Sequence, residues 1–143
     1  MTGPRYRAAA FTIPGFDDAA QAGLRLDGRG RLATVSDAAS IRQALLLLLS
    51  TRPGERVNRP GYGCHLWRLA FEGADNTTAG LAIHYVTQAV ETWEKRVKVL
   101  DVTAGVPEDD PSLLEVRMTY RIQSTLATET GAGTWTASVT APD

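Results

Sequence analysis

The hydrophobic and polar positions of the chain follow two periods, and the change falls near residue 97. Upstream the apolar residues recur at spacings of three and four, as in helices; downstream they alternate, as in strands. Ser36 or Asp37 can accept the free amide protons of a helix start, and Ala38 to Ser50 contains neither proline nor glycine, so a first helix is predicted there. Ile41, Leu45, Leu48 and Leu49 form its apolar face, and Leu46 and Leu47 carry that surface round the cylinder, relieved only by Arg42, Gln43 and Ser50. Such a helix is covered on more than one side, at the centre of a domain or in part by a partner chain. His65 to Phe71 reads as one or two helical turns with Leu66, Leu69 and Ala70 inward. Asp75 or Asn76 then caps a second long helix, Thr77 to about Glu94, with Ile83, Val86, Val90 and Trp93 on one stripe.

After Arg96 the chain turns to strands. Val97 to Val106 is rich in β-branched residues, and Leu114, Val116, Met118, Tyr120 and Ile122 alternate with Glu115, Arg117, Thr119, Arg121 and Gln123. Pro107 to Pro111 makes the reversal between these strands, and Gly131-Ala132-Gly133 the next, leading into a third strand with Trp135, Ala137 and Val139 on one side. A three-stranded meander needs a cover for its apolar face, and the helices upstream supply it. The predicted fold is therefore α+β, two-layer, with helices packed on a small antiparallel sheet. Nearer the start, Leu24 to Leu26 and Leu32 to Val35 flank Asp27-Gly28-Arg29-Gly30, a short hairpin. Residues 1–23 mix prolines, glycines and charges without a period and read as a flexible arm; 24–143 read as a single domain. Between the first helix and the helical turns, Thr51 to Cys64 carries two Pro-Gly pairs and Gly63, an ordered loop expected to bury Val57, Tyr62 and Cys64.

With 43% apolar residues and 15 basic against 16 acidic side chains in 143 positions, the composition fits one globular domain. It also lacks a sequence-wide basic field for nucleic acid. The longest apolar run, Ala44 to Leu49, is far short of the ~20 residues of a membrane span, and nothing near Met1 resembles a secretory core; cytoplasmic synthesis is expected. A single cysteine excludes an intrachain disulfide and any multi-thiolate site, and His65 and His84 complete a poor inventory for metal, so no metal or cofactor is expected. Adjacency of Cys64 and His65 does not make a nucleophile and base, because the fold must bring such groups together. A glycosidase needs two carboxylates at a set separation; Glu55, Glu72, Asp75, Glu91, Glu94 and Asp101 all qualify and none is singled out. Gly61-Tyr62-Gly63 lacks the strand and the following Lys-Ser or Lys-Thr of a phosphate loop.

Two charged clusters remain: Arg52-Pro53-Gly54-Glu55-Arg56 after the first helix, and Trp93-Glu94-Lys95-Arg96 closing the second. Cations near a helix C-terminus complement its dipole, and loop charges are commonly just solvated. Residues i and i+2 of extended chain, however, point the same way, roughly 7 Å apart. If the helix ends by Glu94, then Glu94 and Arg96 form a two-charge fork suited to a complementary pair on another protein.

The run Ile41 to Leu49 leading into Thr51-Arg52-Pro53-Gly54-Glu55-Arg56, then Pro60-Gly61-Tyr62-Gly63-Cys64-His65-Leu66, then Trp93-Glu94-Lys95-Arg96-Val97, resembles the phage tail baseplate wedge and sheath-initiator family. This lysozyme-like baseplate family is shared by contractile tails, type VI secretion baseplates and extracellular contractile injection particles. The likeness spans about Leu24 to Ile122. It implies a non-enzymatic structural subunit, present in several copies per particle, that docks on wedge proteins and offers strands to the sheath protein, with tube or hub proteins nearby. The family's Glu-Pro-Arg motif maps to Glu94, Lys95 and Arg96; the lysine in place of proline lets the helix run on, which loosens the fork. Partner contacts are thus expected at Glu94, Lys95 and Arg96, at Arg52, Glu55 and Arg56, and at Trp135 on the uncharged third strand, whose open edge invites strand addition. The alternatives are a peptidoglycan-cleaving hydrolase, an activity sometimes attached to this family, and a stand-alone adaptor of the same fold.

Overall fold

The computed structural model describes residues 6–12, 23–73, 75–111, 113–123 and 132–140, the last of these by backbone only. In order they form β1 (Arg7–Ala9), β2 (Phe11–Thr12), β3 (Gly23–Leu24), β4 (Thr34–Ser36), α1 (Asp37–Ser50), a 3-10 helix (His65–Phe71), α2 (Asn76–Trp93), β5 (Val97–Gly105), β6 (Leu113–Ile122) and β7 (Ala132–Thr140). Two compact units emerge, Met1–Leu46 and Leu47–Asp143, with the boundary inside α1.

In the first unit, the predicted hairpin is present. Leu26 bridges Leu32, and Asp27 locks the reversal by accepting from Arg29 N (2.8 Å) and Arg31 N (2.9 Å) through one carboxylate oxygen. Those backbone donors hold the Asp27 carboxyl below the ordinary value. The described part of the predicted arm carries strands that its sequence did not announce: β1 pairs with β4 and β2 with β3, both antiparallel. Strands of two or three residues are too short to show a period and exist only through their partners. Side chains of α1 tie them down. Gln43 accepts from Phe11 N (3.1 Å) and donates to Ala9 O (2.7 Å), and Asp37 accepts from Tyr6 N (3.2 Å).

The second unit is the two-layer α+β arrangement. Asp75 caps α2 by accepting from Thr78 N, and α2 lies on β5 and β6. Its buried face is Thr78, Ala82, Val86, Ala89 and Val90. Ile83 and Trp93, expected on the buried stripe, are only half-buried, while Ala82 and Ala89 join Val86 and Val90 on the buried face. The sheet order is β5-β6-β7, with central β6 alternating as predicted: Leu114, Val116, Met118, Tyr120 and Ile122 are all buried. The register of β5 against β6 slips between Val99 and Asp101, while β7 pairs from Ala132 to Thr140 without a break. The reversal expected at Gly131 to Gly133 is corrected in part: Ala132 and Gly133 already pair with Arg121 and Tyr120, and residue 131 lies outside the described residues. Leu45, Leu46, Leu48 and Leu49 of α1 are buried and Leu47 half-buried, as an apolar cylinder requires.

Candidate partner-binding site

The loop from Thr51 to Cys64 closes on itself. Cys64 N donates to Thr51 O (2.9 Å) and Gly54 N to Pro60 O (2.7 Å). Gly63 makes the closure possible: its φ is +136°, and a Cβ there would collide with Thr51 O and stand 2.9 Å from Pro53 N. Glu55 staples the turn, its backbone N donating to Arg52 O and its carboxylate accepting from Arg52 N, both at 3.1 Å. Burial of Tyr62 and Cys64 follows the sequence expectation in degree, Tyr62 halfway and Cys64 fully. Val57 does not: it is 95% exposed at the loop tip, where the turn leaves no neighbour to cover it.

Tyr62 is where the two charged clusters meet. The Arg56 guanidinium stands 4.2 Å above its ring, and the ring packs edge-on against Trp93 at 5.4 Å. Burial pushes the Tyr62 hydroxyl above its usual range; the charge of Arg56 opposes this, Glu94 adds to it, and Arg59 and Arg96 oppose it. One tyrosine therefore senses charges from both segments. Helix α2 stops at Trp93, and Glu94 leaves helical geometry at φ −117°, ψ 80°. No proline is needed for this stop, because Arg96 turns back on Glu94 and closes a bidentate pair: Nε to Oε1 and Nη2 to Oε2, each 2.7 Å. The Glu94 side chain is 10% exposed and that of Arg96 32%. Lys95 points elsewhere and donates to Glu91 O, capping the helix end.

The structure thus brings Arg56 and Trp93 onto Tyr62, with the Glu94–Arg96 pair directly following Trp93 in the chain. Arg52 lies instead over Trp67 of the 3-10 helix, 5.4 Å from the ring centre, with Arg68 on the same ring at 5.8 Å. Trp135 pairs by backbone with Met118, and its side chain lies outside the described residues. The sequence suggests Glu94 and Arg96 as a two-charge fork suited to a complementary pair on another protein; in the structure the two charges hold each other. Sequence reasoning also passed over Tyr62, Trp67 and Trp93 as site residues, although the interleaving of aromatics with arginines between 52 and 68 was the available signal.

Cys64 is a buried thiol. Burial pushes the Cys64 thiol up to about 11, and Sγ donates to Tyr85 O at 3.5 Å. His65 Nδ1 is buried with no hydrogen-bond partner among the described residues. Among those residues no group of three or more His, Cys, Asp or Glu could hold a metal, and no helix is long and apolar enough to cross a membrane.

Residues 35–127 match the family described as Baseplate wedge protein gp25. The baseplate wedge protein gp25 of Enterobacteria phage T4 is 34% identical over 79 residues, which is 54% of this chain and 60% of the phage protein, so the match spans less than two thirds of that relative. Among solved structures, a candidate tail lysozyme from Geobacter sulfurreducens superposes with a TM-score of 0.65 at 30% identity, covering 76% of this chain and 96% of its own. A chain of the anti-feeding prophage baseplate gives 0.64 at 22% identity (68% and 78% covered), and one of the postcontracted pyocin R2 baseplate 0.56 at 21% (71% and 100%); these two share the fold.

Proposed function

Because the chain belongs to the baseplate wedge protein gp25 family, we propose that it is a non-enzymatic structural subunit of a contractile injection machine. It docks on the wedge core through the Tyr62-centred site and nucleates the sheath by strand addition. The observation that carries the docking half is the Glu94–Arg96 pair. A guanidinium fixed by two 2.7 Å bonds and still one-third exposed is preorganised for a second protein, so little side-chain freedom is lost on binding. The sheet supports the other half. β5 is an edge broken by the slip at Leu100, whereas β7 runs nine residues in unbroken register and carries neither charge nor proline, so β7 is the edge assigned to the incoming strand. Its partners on this reading are wedge proteins, the sheath protein and tube or hub proteins, with several copies of the chain in each particle and Lys95, Arg52, Glu55, Arg56 and Trp135 contributing to contacts.

The test is particle assembly with Arg96→Ala and Arg96→Lys, the lysine keeping the charge but not the fork. Folded monomer with few or no sheathed particles is expected for both. Full-length sheathed particles from folded Arg96→Ala protein would remove the docking reading.

A hydrolytic reading has one observation in its favour, the likeness to the candidate tail lysozyme. The local chemistry speaks against it. A glycosidase acid sits protonated in an apolar pocket, whereas both oxygens of Glu94 are held by a guanidinium. Clearing of cell-wall suspensions by purified protein, lost in Glu94→Gln or Glu55→Gln, would establish the activity.

A further inference from the structure

We propose that Arg52, Trp67 and Arg68 form a docking surface for an acidic segment of a partner protein, whose carboxylates bridge the two guanidiniums while an apolar side chain rests on the indole. The inference builds on the reading of the chain as a wedge-docking subunit and specifies the chemistry of the partner.

Three observations carry it. Trp67 is 37% exposed, a large aromatic surface left in water on a short helix, and Phe71 one turn on is 74% exposed. The guanidiniums of Arg52 and Arg68 both lie within 6 Å of the same ring centre, and both residues are exposed. Among the described residues neither forms an ion pair with a carboxylate; the pairs present are Arg31–Asp27, Arg96–Glu94 and Arg117–Glu115. The acid nearest Arg52 in sequence, Glu55, spends its carboxylate on the backbone N of Arg52, and Glu72, four residues past Arg68, takes part in none of those ion pairs.

Two cations gathered on one ring repel each other, and each keeps hydrogen-bond donors turned to water. A carboxylate placed between them removes the repulsion and gains charge-assisted hydrogen bonds, and the indole shields those bonds from solvent. The local charge fits the same ligand. Residues 52 to 68 hold four arginines and one glutamate, a balance of +3 with His65 neutral, in a chain whose net charge is −1. The basic balance is confined to this stretch and is followed by exposed Glu72 and Asp75, which disfavours a long polyphosphate strand more than a short acidic segment. An acidic protein segment is therefore favoured over nucleic acid.

The probe is a fluorescein-labelled peptide of aspartate and glutamate residues with a central phenylalanine, titrated by anisotropy at low and high salt. A lysine-rich peptide of equal length and a single-stranded oligonucleotide serve as comparisons. Saturable binding of the acidic peptide that weakens with salt is expected, reduced about tenfold or more by Arg68→Glu and by Trp67→Ala, as for loss of a charged interface contact. Both residues are exposed, and a thermal melt confirms folding. Arg29→Glu, an equal charge change on the hairpin tip, is expected to bind as the parent does. No saturable binding, oligonucleotide binding as tight as the acidic peptide's, or an equal loss with Arg29→Glu overturns the inference. If it falls while folded Arg96→Ala still blocks particle assembly, the docking function stands without this partner chemistry; if sheathed particles form with Arg96→Ala, the docking reading has failed by itself.

Discussion

Glu94 with Arg96 and Glu115 with Arg117 are the same two residue types at the same spacing, and they end in different circumstances. The first pair sits where α2 gives way to β5, is doubly bonded at 2.7 Å, and has side-chain exposures of 10% and 32%. The second lies within β6, either side of buried Val116, where alternation turns both side chains away from the core; it has one contact at 3.0 Å and exposures of 36% and 59%. Spacing brings the charges together in both places. What separates them is the loop 51–64, which sets Tyr62 against Trp93 at the first pair and has no counterpart at the second among the described residues.

The largest test of that contrast is Gly63→Ala. A side chain at φ +136° is strained and would strike Thr51 O, so the loop must open; a loss of about 3 kcal/mol or more is expected from urea denaturation. With the loop displaced, the Glu94–Arg96 pair becomes as wet as Glu115–Arg117. A Gly63→Ala protein of parental stability would mean that the loop is not what shelters the junction.

Next is the alkaline limit. The Cys64 thiol titrates at about 11 in the folded protein, above an ordinary thiol near 9. The folded state therefore resists ionisation: its advantage is whole below pH 9 and disappears as pH rises through 11, about 2 to 3 kcal/mol in all. The difference in stability between the parent and Cys64→Ala should shrink over that window. A constant difference from pH 8 to 11 would show that the layer beneath the loop is open to water.

How much of this was legible beforehand follows from the range of each interaction. The helices and β6 were readable because their signals are periodic and local, Leu114 to Ile122 most plainly. The end of α2 was readable as a condition, and the structure meets it without proline. What could not be read was contact between distant segments: Tyr62 on Trp93, Arg52 on Trp67 and Gln43 on Phe11 join positions 15 to 32 residues apart by placement alone. The strands β1 and β2 were missed for the same reason, being defined by partners rather than by pattern.

Single truncations put the two pairs side by side. Arg96→Ala leaves the Glu94 carboxylate buried without its guanidinium, and a cost of about 2 kcal/mol is expected, below the full burial penalty because Arg96 is itself partly exposed. Arg117→Ala removes a solvated pair and should cost about 0.5 kcal/mol or less. Equal costs in chemical denaturation would place the two pairs in one class.

The smallest effect is the most discriminating, because it separates pair energy from lost packing. In double-mutant cycles with Glu→Gln and Arg→Gln, the coupling between Glu115 and Arg117 should be a few tenths of a kcal/mol at low ionic strength and vanish toward 1 M salt, where the screening length falls to about 3 Å. Glu94 is closed to mobile ions over most of its surface, so its coupling to Arg96 should persist with most of its magnitude at the same salt. Should both couplings fade together, water reaches the junction pair as freely as the strand pair. Its exposed guanidinium would then be an ordinary surface charge, and the preorganisation that suits Arg96 to a second protein would be lost with it.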